Sequence, residues 1–80
     1  MDRPDRLTAA LSEGRHDDFL RQLDAATRAL PGGYSEAGRR AGYDASTFRR
    51  ALQPGKDPRL KTIAALLEVH GLKLAVERRR

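Results

Sequence analysis

The sequence predicts an all-α domain of five short helices, followed by a short C-terminal β-strand or extended arm. Three observations point there. Apolar residues recur at helical spacing in separate stretches, glycine, proline or a capping residue bounds each stretch, and strand-type alternation is confined to the end of the chain. Eighty residues suit a single domain over 1–80. Its core must be small, because a chain this short buries only about 60% of the surface that its unfolded form exposes.

Leu7, Ala10 and Leu11 stand at i, i+3 and i+4, and Gly14 follows as a stop, which predicts a helix over residues 5–13. Phe19, Leu20, Leu23, Thr27 and Leu30 share one face of a second helix, residues 17–30. Asp17 and Asp18 open it, where the helix dipole favours carboxylates. After the break at Pro31, Gly32 and Gly33, Ser35 is the expected N-cap of a third helix that ends near Ala41, with Gly42 free to adopt a left-handed turn conformation. Asp44 caps a fourth helix reaching Leu52, and residues 53–56 form a loop. Asp57 and Pro58 repeat a cap-then-proline start for a fifth helix, residues 57–71. Its apolar stripe is Leu60, Ile63, Ala64 and Leu67, widened by Leu66 and Val69, and Gly71 ends it.

Residues 72–77 alternate in the strand period, with Leu72, Leu74 and Val76 on one face. A lone strand cannot satisfy its own backbone groups, so this segment pairs with another chain or stays an arm. Leu72, Leu74 and Val76 are therefore the expected dimerisation residues, with the fifth helix a second contributor, and residues 78–80 form a basic tail.

Composition excludes several functions. The absence of cysteine removes disulfides and thiolate metal sites. No stretch has the length and apolarity of a membrane span or a signal peptide, so a soluble cytoplasmic protein with no membrane partner is expected. His16 and His70 have neither cysteine nor H-x-x-x-H spacing around them, and no metal or other cofactor is expected. Asp17 and Asp18, adjacent on a helix, point to different faces. Ser12, Ser35 and Ser46 have no evident histidine partner, and no phosphate-cradling glycine loop occurs. The chain does not read as an enzyme.

Charge points to an anionic partner. In residues 1–40 seven arginines meet seven acids, whereas residues 41–80 hold nine basic residues against four acids, so the whole net charge of +5 falls in the second half. There, residues 34–53 have the features of a helix-turn-helix. Two helices crossing steeply through a three-residue turn need a small residue at their contact, which Gly38 supplies, and a positive-φ residue in the turn, which Gly42 supplies. Ala37, Ala41, Tyr43, Phe48 and Ala51 fill the inward positions. Ala45, Ser46, Arg49, Arg50 and Gln53 then face outward, and such a helix presents its outer face to the DNA major groove. Ser46, Arg49, Arg50 and Gln53 are the expected base readers. Ser35, Arg39, Arg40, Thr47, Lys56, Arg59 and Lys61 are the expected phosphate contacts.

These residues resemble a known family. From Leu7 to Val76 the chain looks like the short Xre/HigA-type helix-turn-helix antitoxins, the addiction-module antidote proteins. The resemblance is carried by Leu7 to Gly14, by Ala45-Ser46-Thr47-Phe48-Arg49-Arg50-Ala51-Leu52, by the loop from Gly55 to Thr62, and by the close Val69-His70-Gly71-Leu72-Lys73-Leu74. It differs from the family pattern at Gly38, where alanine is usual, at Arg49, where tyrosine is frequent, at Asp44 and Asp57, which replace serine and asparagine, and at the longer link 31–33. The resemblance implies a Xre/lambda-repressor-like fold and a homodimer on palindromic double-stranded DNA. It also implies an antitoxin that represses its own operon and neutralises a RelE/HigB-like toxin. A stand-alone phage or mobile-element regulator of the Xre type, without a toxin partner, is the alternative.

Overall fold

Phe19, Leu20 and Leu23 of the second helix are buried in one apolar core to which every helix contributes. The computed structural model describes the backbone of residues 3–74 and the side chains of residues 7–74. Its elements are α1 (Arg3–Ser12), α2 (His16–Arg28), α3 (Gly33–Ala41), α4 (Ala45–Ala51) and α5 (Leu60–Val69), and the described residues contain no strand. α1 packs on α2. α3 lies in the middle and touches α2, α4 and α5, while α4 also meets α5. Leu7 and Ala10 from α1, Tyr34 and Ala37 from α3, Phe48 and Leu52 at α4, and Ile63, Leu66 and Leu67 from α5 complete the core. No helix among the described residues is long and apolar enough to cross a membrane.

One polar side chain lies fully inside. The Thr27 hydroxyl donates to the Leu23 carbonyl at 2.8 Å, and His70 Nε2 stands 3.0 Å from the same oxygen. With the hydroxyl hydrogen spent on Leu23, the imidazole is the donor in the second contact, which places a proton on Nε2. The end of α2 is thereby tied to the end of α5.

Three expectations from the sequence are corrected. The third helix opens at Gly33, with left-handed Gly32 in the capping position, so Ser35 lies inside the first turn and is not the cap. The fifth helix opens at Leu60, with Arg59 in the capping position at ψ 142, so Asp57 and Pro58 belong to the loop. The loop before α5 also bonds across the fold: Asp17 Oδ1, at the start of α2, accepts the Gly55 N–H at 3.1 Å. The buried face also differs from the expected stripe. Ile63, Leu66 and Leu67 are buried, while Leu60 is 71% exposed and Ala64 faces solvent.

The third correction concerns the C-terminal strand. Gly71, at φ 73, reverses the chain after α5, and the Leu72 N–H returns to the Leu67 carbonyl at 2.9 Å. Leu72 is half-buried against the core, as the apolar residue of a helix-ending motif of this kind usually is. It is thus committed to the helix stop, and residues 72–74 form no strand. The remainder of the predicted strand, Val76 included, and the tail 78–80 lie outside the described residues.

Candidate nucleic-acid interface

The surface of interest is built on the junction of α3 and α4. Gly38 is buried where the two helices meet, and a Cβ there would lie 2.5 Å from the Tyr43 carbonyl oxygen and 3.1 Å from the Ala45 nitrogen. The approach is therefore backbone against backbone. Gly42 follows at φ 74, ψ 29, a left-handed conformation that lets Tyr43 N–H bond the Gly38 carbonyl at 2.9 Å. Asp44 then takes the capping position of α4 with extended backbone, although its side chain makes no capping hydrogen bond. Phe48 is fully buried and stacks on Tyr43, ring centroids 4.9 Å apart. Of the expected inward residues, Ala37 and Phe48 are buried and Ala41, Tyr43 and Ala51 half-buried. Ala45, expected to face outward, is instead half-buried against the core, because the start of α4 presses on Gly38.

Ser46, Arg49, Arg50 and Gln53 are all exposed. Arg50 folds along its own helix, Nε 3.3 Å from the Ser46 carbonyl. Beside it a groove opens between α4, the loop and the start of α5, lined by Thr47, Arg50, Lys56, Arg59 and Lys61, with Asp57 the one acid in the lining. Among the described residues none of these cations enters an ion pair. Sequence reasoning placed them as separate contacts, and the fold brings them together.

Arg39 and Arg40 are set differently. Both bond the Glu36 carboxylate, Arg39 Nε at 2.8 Å and Arg40 Nε at 2.9 Å. The hydrogen bonds from Arg39 first, and then from Arg40, hold Glu36 down at about 2, and the same partner raises Arg39. Two cations thus share one anion. Arg40, moreover, lines a separate hollow with Ala65, Glu68 and Val69 of α5. Ser35 is exposed in the first turn of α3. Of the expected dimerisation residues, Leu72 is half-buried and Leu74 is 36% exposed.

The sequence reading passed over Tyr34. Only 4% exposed, it donates its hydroxyl hydrogen to the Asp24 carboxylate, and burial first, then Asp24, pushes the phenol well above the usual tyrosine range. Arg28 Nε reaches both Asp24 oxygens at 3.1 Å. The guanidinium carbons of Arg28 and Arg49 stand 5.6 and 5.5 Å from the Tyr34 ring centroid. A signal was present, since Tyr34, Ala37 and Ala41 repeat at i, i+3 and i+7, but starting the helix at Ser35 left Tyr34 out of the pattern. Among the described residues no group of His, Asp or Glu is arranged to hold a metal ion. No protein-family model, curated protein or solved structure matches the chain.

Proposed function

We propose that the chain is a sequence-specific DNA-binding transcriptional repressor in which α3, the turn and α4 act as a helix-turn-helix. The observation that carries this reading is the basic groove of Arg50, Lys56, Arg59 and Lys61 beside the exposed face of α4, none of them in an ion pair among the described residues. A helix offered with its polar face outward and cations along one side suits the major groove flanked by phosphates. Ser46, Arg49, Arg50 and Gln53 face the DNA in this reading, and Thr47, Lys56, Arg59 and Lys61 hold its backbone. Ser35, Arg39 and Arg40 are outer contacts, the two arginines weakened by the shared Glu36.

Two copies would read a two-fold symmetric operator, its half-sites about one helical turn apart. Exposed Leu60 and Leu74 supply apolar surface for that homodimer. The resemblance to Xre/HigA-type antitoxins supports the further reading of an autoregulating antitoxin that masks a RelE/HigB-like toxin in the cytoplasm.

A gel-shift titration of the full chain against the DNA upstream of its own gene, repeated at rising salt, tests the DNA reading. Sequence-selective, salt-sensitive binding is expected, and its absence refutes the proposal. Toxicity of the neighbouring gene product alone, relieved by co-expression and accompanied by co-purification, tests the antitoxin reading separately.

A further inference from the structure

Arg49 is placed unlike the other exposed side chains of α4. At about 100° per residue, Ser46 and Arg50 each project about 160° away from Phe48 around the helix, whereas Arg49 is only about 100° from it. Arg49 thus occupies a flank, and that flank is the one facing Tyr34, with its guanidinium carbon 5.5 Å from the ring centroid. The ring is a fixed platform. Tyr34 is buried, its hydroxyl is bonded to Asp24, and Asp24 is held in turn by Arg28 through both oxygens. Arg28 also stands over the ring at 5.6 Å. Two arginines, Arg28 from α2 and Arg49 from α4, thus stand over one ring; Asp24 pairs with Arg28, and among the described residues Arg49 enters no ion pair.

We infer that Tyr34 is a positioning residue that holds the Arg49 guanidinium at the flank of α4, where it and Arg28, the other cation over the ring, meet DNA phosphates and not a base edge. The inference rests on the DNA-binding reading above and reassigns one residue within it. Reading guanine requires an arginine that extends from the outer face and lies in the base plane to make two parallel hydrogen bonds. A guanidinium held by cation–π attraction over a buried ring is drawn back from full extension, and its N–H groups that face away from the ring remain open to an anion. Base reading then falls to Ser46, Arg50 and Gln53, and Arg28 becomes a phosphate contact contributed by α2.

The test selects duplexes from a random-sequence pool with the full-length wild type, Arg49→Ala and Arg50→Ala. Affinity for a selected duplex is then measured against salt. Arg49→Ala is expected to select the same sequence as the wild type, to bind every duplex less tightly, and to lower the slope of log K against log salt by about 1, the loss of one phosphate contact. Arg50→Ala is expected to lose preference at a base position. Tyr34→Phe, which keeps the ring, should retain the wild-type slope. Tyr34→Leu should reproduce the loss seen in Arg49→Ala, with no further loss when the two are combined. In the free protein, the Arg49 Nε proton should be shifted by the ring and return to its ordinary position in Tyr34→Leu.

A changed base preference in Arg49→Ala overturns the inference, as does an unchanged salt slope. Both readouts stand even where Tyr34→Leu fails to fold. If the wild type enriches no duplex, the DNA-binding reading itself falls. If it enriches one and Arg49→Ala changes the sequence selected, only the role given to Arg49 and Tyr34 falls.

Discussion

Replacing Gly38 with alanine probes the packing of α3 on α4 with a single methyl group. Two effects oppose each other. Alanine in place of glycine inside a helix favours folding by about 0.8–1 kcal/mol. The added Cβ, however, would stand 2.5 Å from the Tyr43 carbonyl oxygen, 3.1 Å from the Ala45 nitrogen and 3.4 Å from the Ala45 Cα. All three are backbone atoms, so no side-chain rotation relieves the contact. Relief requires α4 to move as a body, and that movement strains the Tyr43 N–H to Gly38 bond and lifts Phe48 from its fully buried site. Overpacking of this kind costs about 1–3 kcal/mol, more where backbone must shift. With only backbone atoms to yield, the upper part of that range, about 2–3 kcal/mol, applies; the clash outweighs the propensity gain, and a net loss of about 1–2 kcal/mol is expected. Urea unfolding followed by far-ultraviolet circular dichroism reads it directly. At a slope near 1 kcal/mol/M, the low end for small proteins, the midpoint should fall by about 1–2 M with the slope unchanged. A variant as stable as the wild type, or more stable by the propensity increment, would refute the close approach and imply a wider α3–α4 contact, one with room for the alanine usual in the family that the sequence resembles.

Three other outcomes follow from the same packing. Phe48→Ala empties a fully buried site and should cost about 3–5 kcal/mol, close to the ~5 kcal/mol at the low end of whole-domain stability, so a thermal melt should show little folded protein. Thr27→Val keeps the shape but removes the hydroxyl shared by the Leu23 carbonyl and His70, for an expected loss of about 1–2 kcal/mol by urea unfolding that Thr27→Ser largely restores. Glu36 is held down at about 2 by Arg39 and Arg40, so its contribution to stability is present above its ordinary value of 4.5 and is lost as the pH falls through about 2. Acid unfolding of Glu36→Gln should lack that component, and salt should shrink it in the wild type because the pairs are exposed.

Five helices were legible because their signals are local. Spacing of apolar residues, Gly14 and Gly71 as stops, and the pair Gly38 and Gly42 are each read within one turn of chain. Contacts between distant residues were not legible. Asp17 reaches Gly55 across 38 positions and His70 meets Thr27 across 43, and neither contact has a trace in the residues around it. The inward position of Thr27 was legible from the apolar face of the second helix, but its partner His70 was not. The strand prediction failed for a related reason. Alternation is a two-residue rhythm, whereas Leu72 is claimed by the end of the preceding helix.

The candidate site was legible as composition more than as geometry. In the first half of the chain, away from the Tyr34 ring, Arg15, Arg39 and Arg40 are each paired with a nearby carboxylate. Exposed pairs of this kind add little stability, so their chief effect is on the field that the protein presents. They cancel charge where it would compete with the α4 side. Arg50, Lys56, Arg59 and Lys61 enter no ion pair among the described residues and line one groove. Cations gathered along a cleft reinforce one another's potential, which scattered ones do not. The excess of +5 that lies in the second half is thus sharpened by folding, since pairing in the first half sets opposite charges side by side and convergence in the second gathers like ones. It follows that moving a carboxylate matters more than removing a cation of the first half. An acid placed at Thr47, inside the groove, should depress DNA affinity at low salt more than Arg39→Ala does, because Arg39 is already answered by Glu36.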